Sequence, residues 1–314
     1  MMIEVLRTPE HRFTVLPNFP YRPHYVEDLP SFEGLRMHYV DEGAGDEKDT
    51  YLCLHGEATW SYLYRKMIPV FTAAGHRSVA PDFFGFGRSD KPVDDAVYTF
   101  GFHRDTPMRF IEALDLKNLT LVCQDWGGIL GLTLPMDMPG RFIRLLVMNT
   151  GLAVGRSPGK GFDAWKAYVA ANPDFDIAGL MKRSEPALSE GECAAYAAPF
   201  PDRRYRAGVR RFPAIVPVTP DMEGAELGRR AAEWWAKEWS GPTFMAVGVR
   251  DPVLGRPVME ALQRTLHGCP APMLLEDAGH FVQERGERIA SAALEAWGTP
   301  NNRPQPQPAP PLAR

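Results

Sequence analysis

One aspartate stands where an apolar run ends and a Gly-rich, helix-forming run begins. In "LTLVCQDWGGILG" (119–131), Asp125 is followed by Trp126 and two glycines, with the small Cys123 two residues before it. This pattern is typical of a nucleophile elbow, a strained strand-to-helix turn whose small flanking residues expose one reactive side chain. The alternative is structural, because aspartate commonly caps the helix that follows it. Asp125 is therefore a candidate nucleophile, to be weighed with residues further along the chain.

Two later residues have the types and positions expected of partners for such a nucleophile. Asp251 ends the strand-like run "FMAVGVRD", and His280 closes the run "MLLEDAGH". Hydrolases with a nucleophile elbow keep the chain order nucleophile, acid, histidine, and open α/β sheets place their sites at the carboxyl ends of strands. Asp277 could replace Asp251 as the acid, but we favour Asp251 because it ends a strand. Asp125, Asp251 and His280 are thus predicted to form a catalytic triad.

The segment "LCLHGEATW" (52–60) supplies another part of such a site. A strand followed by His55, Gly56 and Glu57 resembles the loop that gives these hydrolases a second backbone N–H for the oxyanion hole. By contrast, "PDFFGFGRSD" (81–90) lacks the third glycine of a dinucleotide-binding turn, and the histidines have no H-E-x-x-H spacing. We therefore expect no metal ion and no cofactor.

Alternating strands and helices must position these residues. Short apolar runs without clean alternation are typical of strands covered on both faces, and their alternation with helical patterns predicts an α/β fold with a parallel sheet. The predicted strands are 50–56, 76–83, 119–125, 144–150, 243–251 and 273–280, and the clearest helical patterns are 60–75, 105–115 and 286–298. The second of these helices is predicted to begin at Asp105 or Thr106, ahead of Pro107.

The alternation stops between residues 152 and 230, where several short helical patterns stand among prolines, glycines and alanines. We interpret 152–230 as a helical cap domain inserted between two strands of a core domain that comprises 1–151 and 231–298. The Pro-rich C-terminus, 299–314, is nearly devoid of bulky apolar residues and is predicted to be a disordered tail.

Composition excludes several classes of protein. With 314 residues, a net charge of −4 and a pI of about 6.1, the chain has no basic surface for nucleic acid. No apolar stretch reaches the 18 residues of a membrane-spanning helix, and the N-terminus lacks a secretory signal. The cysteines are widely spaced, which favours free thiols in a reducing cytoplasm. We expect a cytoplasmic monomer whose partners are small molecules, with no membrane contact.

Whole loops of the sequence resemble one family. "LCLHGEATWSYLYRKMIPVF", "APDFFGFGRSDKPV", "LTLVCQDWGGILGLTLPM" and "DAGHFVQE" closely resemble haloalkane dehalogenases of the subfamily typified by the xanthobacter enzyme. "YAAPFPD" (196–202) and "AGVRRFP" (207–213) resemble it too, and the similarity extends from about residue 2 to 297. The resemblance implies the α/β-hydrolase fold, with a mostly parallel central sheet, helices on both faces and a helical cap.

The resemblance also implies a mechanism. Asp125 would displace halide from a haloalkane by SN2 attack, since a carboxylate is already ionised at neutral pH, giving an alkyl-enzyme ester. His280, oriented by Asp251, would activate the water that hydrolyses this ester and releases a primary alcohol. The backbone N–H groups of Trp126 and Glu57 would hold the oxyanion, and the indole N–H of Trp126 would bind the halide.

Two positions depart from the family pattern. Family members of this subfamily have a second halide-binding tryptophan in the cap, where "MKRSEPALSE" has Ser184. Losing one charge-assisted donor costs about 1.5–3 kcal/mol. Trp165, Trp234 or Trp235 could take its place, although we favour packing roles for them. Ala58 replaces a family proline, so we expect a trans peptide bond there and a slightly shifted oxyanion loop.

Two other functions stay open at this point. An epoxide hydrolase shares the fold, the aspartate nucleophile and often the Asp-Trp-Gly elbow, and it would use cap tyrosines such as Tyr168, Tyr196 and Tyr205 to activate the epoxide oxygen. A weakly active hydrolase-fold protein that only binds small ligands is the other alternative, since fold alone does not determine function. The intact candidate triad argues against a pure binder.

Overall fold

The computed structural model of the chain describes residues 3–43 and 49–298. The tail predicted for 299–314 lies outside the described residues. The strands are β1 (Val5–Leu6), β2 (His24–Glu27), β3 (Arg36–Glu42), β4 (Thr50–Leu54), β5 (Arg77–Pro81), β6 (Lys91–Pro92), β7 (Leu119–Gln124), β8 (Phe142–Met148), β9 (Thr243–Gly248) and β10 (Met273–Leu275). The helices are α1 (Ile68–Ala73), α2 (Phe100–Ala113), α3 (Trp126–Gly131), α4 (Lys160–Ala171), α5 (Ile177–Ser184), α6 (Glu190–Ala197), α7 (Ala207–Ile215), α8 (Ala225–Lys237), α9 (Arg256–Thr265) and α10 (Gly286–Ala296).

The six predicted strands form the parallel part of the main sheet, which confirms the α/β fold. The strand order is β10-β9-β8-β7-β4-β5-β3-β2. Strands β10 through β5 run parallel to their neighbours, and β3 and β2 complete the sheet as antiparallel strands. Every residue of β4 and β7 is buried, as expected of strands covered on both faces. Parallel strands end at the same edge of the sheet, so the residues following β7, β9 and β10 meet there.

Two of the helix predictions were wrong in detail. The pattern over 60–75 divides into a 3₁₀ turn at Ser61–Tyr64 and the short helix α1. Pro69 lies in the first turn of α1, where proline starts a helix well because its missing N–H would have no partner. Helix α2 begins at Phe100 rather than near Asp105, because the Thr99 side chain accepts a hydrogen bond from the Phe102 N–H at 3.1 Å.

Five helices, α4 to α8, lie between β8 and β9, where the sequence predicts a cap. The predicted boundary at residue 230 falls inside α8, whose later turns contact the sheet side of the molecule. There the indole N–H of Trp235 donates to the Leu132 carbonyl at 2.7 Å. The division into core and cap domains stays a prediction, with α8 running from one to the other.

A buried arginine joins this helical region to the rest of the chain. The side chain of Arg65 is fully buried, and its guanidinium binds both carboxylate oxygens of Glu284 at 2.8 and 2.9 Å. It also donates to Glu192 and to the Tyr196 hydroxyl, both on α6, at 2.9 and 3.1 Å. Burial raises the pKa of Glu284, but the hydrogen bond and charge of Arg65 outweigh it and hold that pKa below its usual range. The carboxylate and guanidinium therefore form a charged junction between α6 and the loops that follow β4 and β10.

Candidate active site

The turn between β7 and α3 has the geometry of a nucleophile elbow. Asp125 has φ 52° and ψ −126°, a backbone conformation that residues other than glycine rarely adopt. The next turn leaves no room for larger residues: a Cβ on Gly127 would lie 1.9 Å from the Leu54 carbonyl oxygen. A Cβ on Gly128 would lie 2.2 Å from the Thr150 hydroxyl, which donates to the Asp125 carbonyl at 2.7 Å. The small residues seen in the sequence are thus required by close backbone packing.

The structure brings the three candidate triad residues together. His280 Nδ1 lies 2.8 Å from Asp251 Oδ2, and His280 Nε2 lies 3.7 Å from Asp125 Oδ2. Asp251 also accepts hydrogen bonds from the Asn149 side chain at 2.9 Å and from the Val253 backbone N–H at 2.8 Å. These partners orient the carboxylate, so Asp251 in turn fixes the plane of the imidazole.

Asp277, the alternative acid, is paired with arginines instead of with the imidazole. Its carboxylate accepts a hydrogen bond from Arg285 Nε at 2.8 Å, which holds its pKa below the usual range. The side chain of Asp277 is 53% exposed, whereas that of Asp251 is fully buried. Only Asp251 is therefore placed to act on His280.

The carboxylates around His280 determine its affinity for a proton. Burial opposes protonation of the imidazole, but the charge and hydrogen bond of Asp251, with the charges of Asp125 and Glu57, raise its pKa to about 9. Burial likewise raises the pKa of Asp251, yet His280 and Asn149 together lower it below its usual value. Asp251 is thus ionised, and the proton affinity of His280 depends partly on whether Asp125 carries its charge.

Gln124 is a site residue that the sequence analysis missed. Its amide nitrogen lies 3.0 Å from His280 Nε2 and 3.2 Å from the His280 carbonyl oxygen. Because a carbonyl can only accept, this amide must be oriented as a donor, and Nε2 then accepts from it. Gln283 donates to the other end of the amide at 3.5 Å, consistent with the same orientation. The Gln124 amide favours a neutral imidazole with its proton on Nδ1, which opposes the effect of the surrounding carboxylates.

Backbone N–H groups are available to the Asp125 carboxylate from two segments of the chain. The Glu57 N–H donates to Asp125 Oδ1 at 2.6 Å. Trp126 is the first residue of α3, where a backbone N–H has no acceptor within the helix. Gly56 allows this approach, because a Cβ there would lie 2.3 Å from Asp125 Oδ1. The contact of the Glu57 N–H with Oδ1 is the one expected of an oxyanion hole at one oxygen of the candidate nucleophile.

The Glu57 side chain is a buried carboxyl group inside the site. Its Oε2 accepts a hydrogen bond from the Trp165 indole at 2.8 Å, while Oε1 is buried without a hydrogen-bond partner among the described residues. Burial, reinforced by the charge of Asp125, raises the pKa of Glu57 well above its usual value. The contact of Glu57 with Trp165 joins residues 108 positions apart, and no local sequence pattern predicts it.

These residues line a cavity of about 690 Å³. The Trp126 ring is stacked on Phe212 at 4.4 Å between ring centroids, and its indole N–H has no acceptor in the described part of the chain. The apolar lining includes Ile129, Pro158, Phe162, Leu180, Val216 and Leu254. The charged lining includes Arg183, Glu185, Arg250, Asp277 and Arg285. Such a cavity suits a small apolar molecule with one polar end, and Trp126 offers that end a donor.

The described residues offer no cluster of three or more His, Cys, Asp and Glu side chains that could hold a metal ion. Nor does any helix within 3–43 and 49–298 have the length and apolar character needed to cross a membrane.

Comparison with known proteins decides the family. Residues 51–287 match the family model of the α/β hydrolase fold. A haloalkane dehalogenase of Psychrobacter cryohalolentis is 43% identical over 300 residues, which cover 93% of this chain and 98% of the relative. Another, of Mycobacterium marinum, is 41% identical over 94% of this chain and 100% of the relative. The chain belongs to the haloalkane dehalogenase family.

Solved dehalogenase structures agree with this assignment. That of Paraglaciecola agarilytica, described as tetrameric, has a TM-score of 0.92 and 54% identity over 94% of this chain and 99% of the other. That of Bradyrhizobium elkani has a TM-score of 0.72 and 24% identity over 88% and 99%, which shows the shared fold alone. The narrower subfamily suggested by the sequence stays a prediction.

Both departures from the dehalogenase pattern lie at the cavity. Ser184 ends α5 and lines the cavity, and its hydroxyl makes no hydrogen bond within the described ranges. Trp165 also lines the cavity, but its indole N–H is already used by Glu57, and Trp235 donates to Leu132 instead. The described residues contain no cis peptide bond, which confirms the trans bond expected at Ala58. Ala58 has φ 56°, so the oxyanion loop contains a left-handed alanine.

Proposed function

We propose that this enzyme hydrolyses haloalkanes to primary alcohols and halide through a covalent ester on Asp125. The observation that carries the proposal is the position of the Asp125 carboxylate. Its Oδ1 accepts the Glu57 N–H at 2.6 Å, its Oδ2 lies 3.7 Å from His280 Nε2, and both face the same cavity. One oxygen is thus held by the backbone, and the other is free to react.

In the first step, Asp125 Oδ2 attacks the carbon that bears the halogen. The new C–O bond forms as the carbon–halogen bond breaks, and the electron pair leaves with the halide. The unused indole N–H of Trp126 is the donor that receives this halide. An apolar cavity strengthens both interactions, because charges and dipoles attract more strongly where water is excluded.

In the second step, water hydrolyses the ester. His280 Nε2 takes a proton from water while the water oxygen attacks Asp125 Cγ, and the N–H groups of Glu57 and Trp126 stabilise the charge that develops on Oδ1. The tetrahedral intermediate then collapses, the C–O bond to Oδ2 breaks, and the imidazolium returns its proton to the leaving alkoxide. Because the ester of Asp125 carries no charge, the pKa of His280 is lower at this stage than in the resting enzyme, which suits its role as a base.

The positions of the cap tyrosines argue against an epoxide hydrolase. The Tyr196 hydroxyl is buried and bonded to Glu284 at 2.5 Å, and Tyr168 is 40% exposed at the surface. Among the described residues, no tyrosine lines the cavity. An epoxide in this cavity would have no phenol to activate its oxygen.

The test is bromide release from 1-bromobutane and 1,2-dibromoethane by the purified chain. We expect steady release that falls by at least about 10³-fold in Asp125→Asn, since the amide is not a nucleophile. Styrene oxide serves as the competing substrate. Opening of the epoxide without bromide release would overturn the proposal in favour of an epoxide hydrolase.

The expected oligomeric state and location remain predictions. The sequence favours a cytoplasmic monomer, whereas the Paraglaciecola agarilytica relative is described as tetrameric. Size-exclusion chromatography of this chain, with light scattering, distinguishes the two states directly.

A further inference from the structure

A second cavity, of about 430 Å³, lies directly beside the first. It is bounded by the loop 151–158, by helix α9 and by Ala232 of α8, and most of its lining is apolar. Ile129, Pro158, Val216 and Leu254 line both cavities. These four residues therefore form the partition between the two, and we name them the partition.

We propose that this second cavity is a distal subsite that receives the far end of long-chain primary haloalkanes. The inference rests on the proposed function, because it assigns the alkyl chain of the same substrate. In this arrangement the reacting carbon of the substrate lies at Asp125, and its alkyl chain passes the partition into the second cavity. The partition side chains then set the number of carbons that an alkyl chain needs to reach that cavity.

The partition begins close to the nucleophile. Ile129 lies one helical turn beyond Asp125, and its backbone N–H donates to the Asp125 carbonyl at 3.0 Å. A helical turn advances by about 5.4 Å, so a chain of only a few carbons reaches Ile129 from the reacting centre. Leu254 follows Asp251 in the loop after β9 and extends the same apolar surface.

Charge also directs the chain toward the partition. The other lining of the first cavity includes the ion pair of Arg285 with Glu185 at 3.1 Å and the exposed residues Arg183 and Arg250. An alkyl chain placed there would remove charged groups from water without compensation. An alkyl chain against the partition is removed from water without desolvating any charged group. Each methylene buried there improves affinity about four-fold.

The partition side chains can move without breaking polar contacts. Ile129, Val216 and Leu254 are 8%, 3% and 4% exposed, and their apolar side chains are held by van der Waals contacts alone. Beyond them, the lining on α9 includes Val258 and Ala261, which are only half-buried. The second cavity thus has apolar surface that is still accessible and that an alkyl tail would cover.

The test compares kcat/KM for 1-bromobutane, 1-bromohexane, 1-bromooctane and 1-bromodecane. Ala261→Phe fills the second cavity, and Arg264→Phe places the same ring on the exposed side of the same helix as the matched control. We expect Ala261→Phe to lose at least about ten-fold more on 1-bromooctane than on 1-bromobutane, the equivalent of two buried methylenes. Arg264→Phe should keep the wild-type profile, and Val216→Ala should raise activity on the two longest substrates.

An equal loss on all four substrates, or no loss on any, would overturn the subsite. Failure of the proposed function is recognised separately, as absence of bromide release by the folded wild-type protein from every substrate. In that case binding of 1-butanol and 1-octanol, followed through the fluorescence of Trp126 and Trp165 in the first cavity, tests the subsite without chemistry. Weaker binding of 1-octanol alone to Ala261→Phe supports the subsite, and unchanged binding contradicts it.

Discussion

The core side and the cap side of the site differ in what holds their residues in place. Asp125, Asp251 and His280 follow strands β7, β9 and β10, and hydrogen bonds between neighbouring strands set their relative positions. Trp165 and Ser184 lie on separate helices, α4 and α5, which are held mainly by side-chain packing. A residue on one of these helices can therefore be substituted at the cavity without shifting the sheet. We therefore expect the core side to carry the chemistry, and the cap side, together with the core residues that line the cavity, to affect which ligand is held and how tightly.

The largest expected effect is on the core side, in His280→Phe. Without the base the ester forms but is not hydrolysed, so we expect one bromide per enzyme in a burst, followed by turnover at least about 10³-fold slower. Mass spectrometry should find the alkyl group on Asp125. The Asp125→Asn enzyme should show neither burst nor adduct. Steady bromide release by His280→Phe at the wild-type rate would contradict the role of His280 as the base on the core side.

On the cap side, Ser184→Trp should strengthen halide binding. An indole N–H at this position adds a charge-assisted donor to the halide, worth about 1.5–3 kcal/mol, so bromide should bind about ten-fold or more tightly. Quenching of tryptophan fluorescence by bromide measures this, with Ser184→Ala as the control that adds no donor. A single-turnover rate that changed more than the affinity would contradict the division between the two sides.

Gln124→Leu should shift the pH dependence of the core side. The amide donates to His280 Nε2 and so stabilises the neutral base; losing one such bond raises the His280 pKa by about half to one unit. Because His280 must be neutral to act as the base, the acidic limb of the kcat profile should move to higher pH. Gln283→Met, which leaves the Gln124 donor in place, should not move the limb. A purely structural loss would lower kcat at every pH without a shift.

The smallest effect on activity is expected for Trp165→Phe. This substitution removes the hydrogen bond to a buried carboxyl group and should lower the free energy of unfolding by about 1–3 kcal/mol, with activity changed less than about ten-fold. Denaturant unfolding measures the difference, and the same substitution in a Glu57→Met background should cost less. A loss of activity as large as that of His280→Phe would mean that Trp165 takes part in the reaction. It would then contradict the division between the core side and the cap side.

The two sides also differed in how far the sequence predicted them. The strands and the residues that follow them could be read from apolar runs, because a parallel sheet buries its strands on both faces. Gln124 could not, since it ends such a run and its partner His280 lies 156 positions away. The contact of Trp165 with Glu57 likewise joins residues far apart in the sequence, and it depends on how a cap helix packs, so it was not predicted.

Local sequence signals for a helix start were misleading where two possible starts lie close together. Asp105 and Pro107 resemble a helix start, yet α2 begins at Phe100 because Thr99 caps it. Pro107 lies inside this helix, eight residues after the cap, although its missing N–H leaves one helical hydrogen bond unmade. A cap signature therefore indicates that a helix can start at a position, and the surrounding chain decides whether it does.

The buried guanidinium of Arg65 limits how this protein can exchange parts with its relatives. Arg65 and Glu284 come from the sheet side, whereas Glu192 and Tyr196 come from α6. A recombinant that takes its cap from another parent keeps the pair of Arg65 with Glu284 but replaces the other two partners of this buried guanidinium, and a buried donor left without a partner is destabilising. Crossovers should be most stable when all four positions descend from one parent or from parents that match there, so a cap is best inherited together with its arginine.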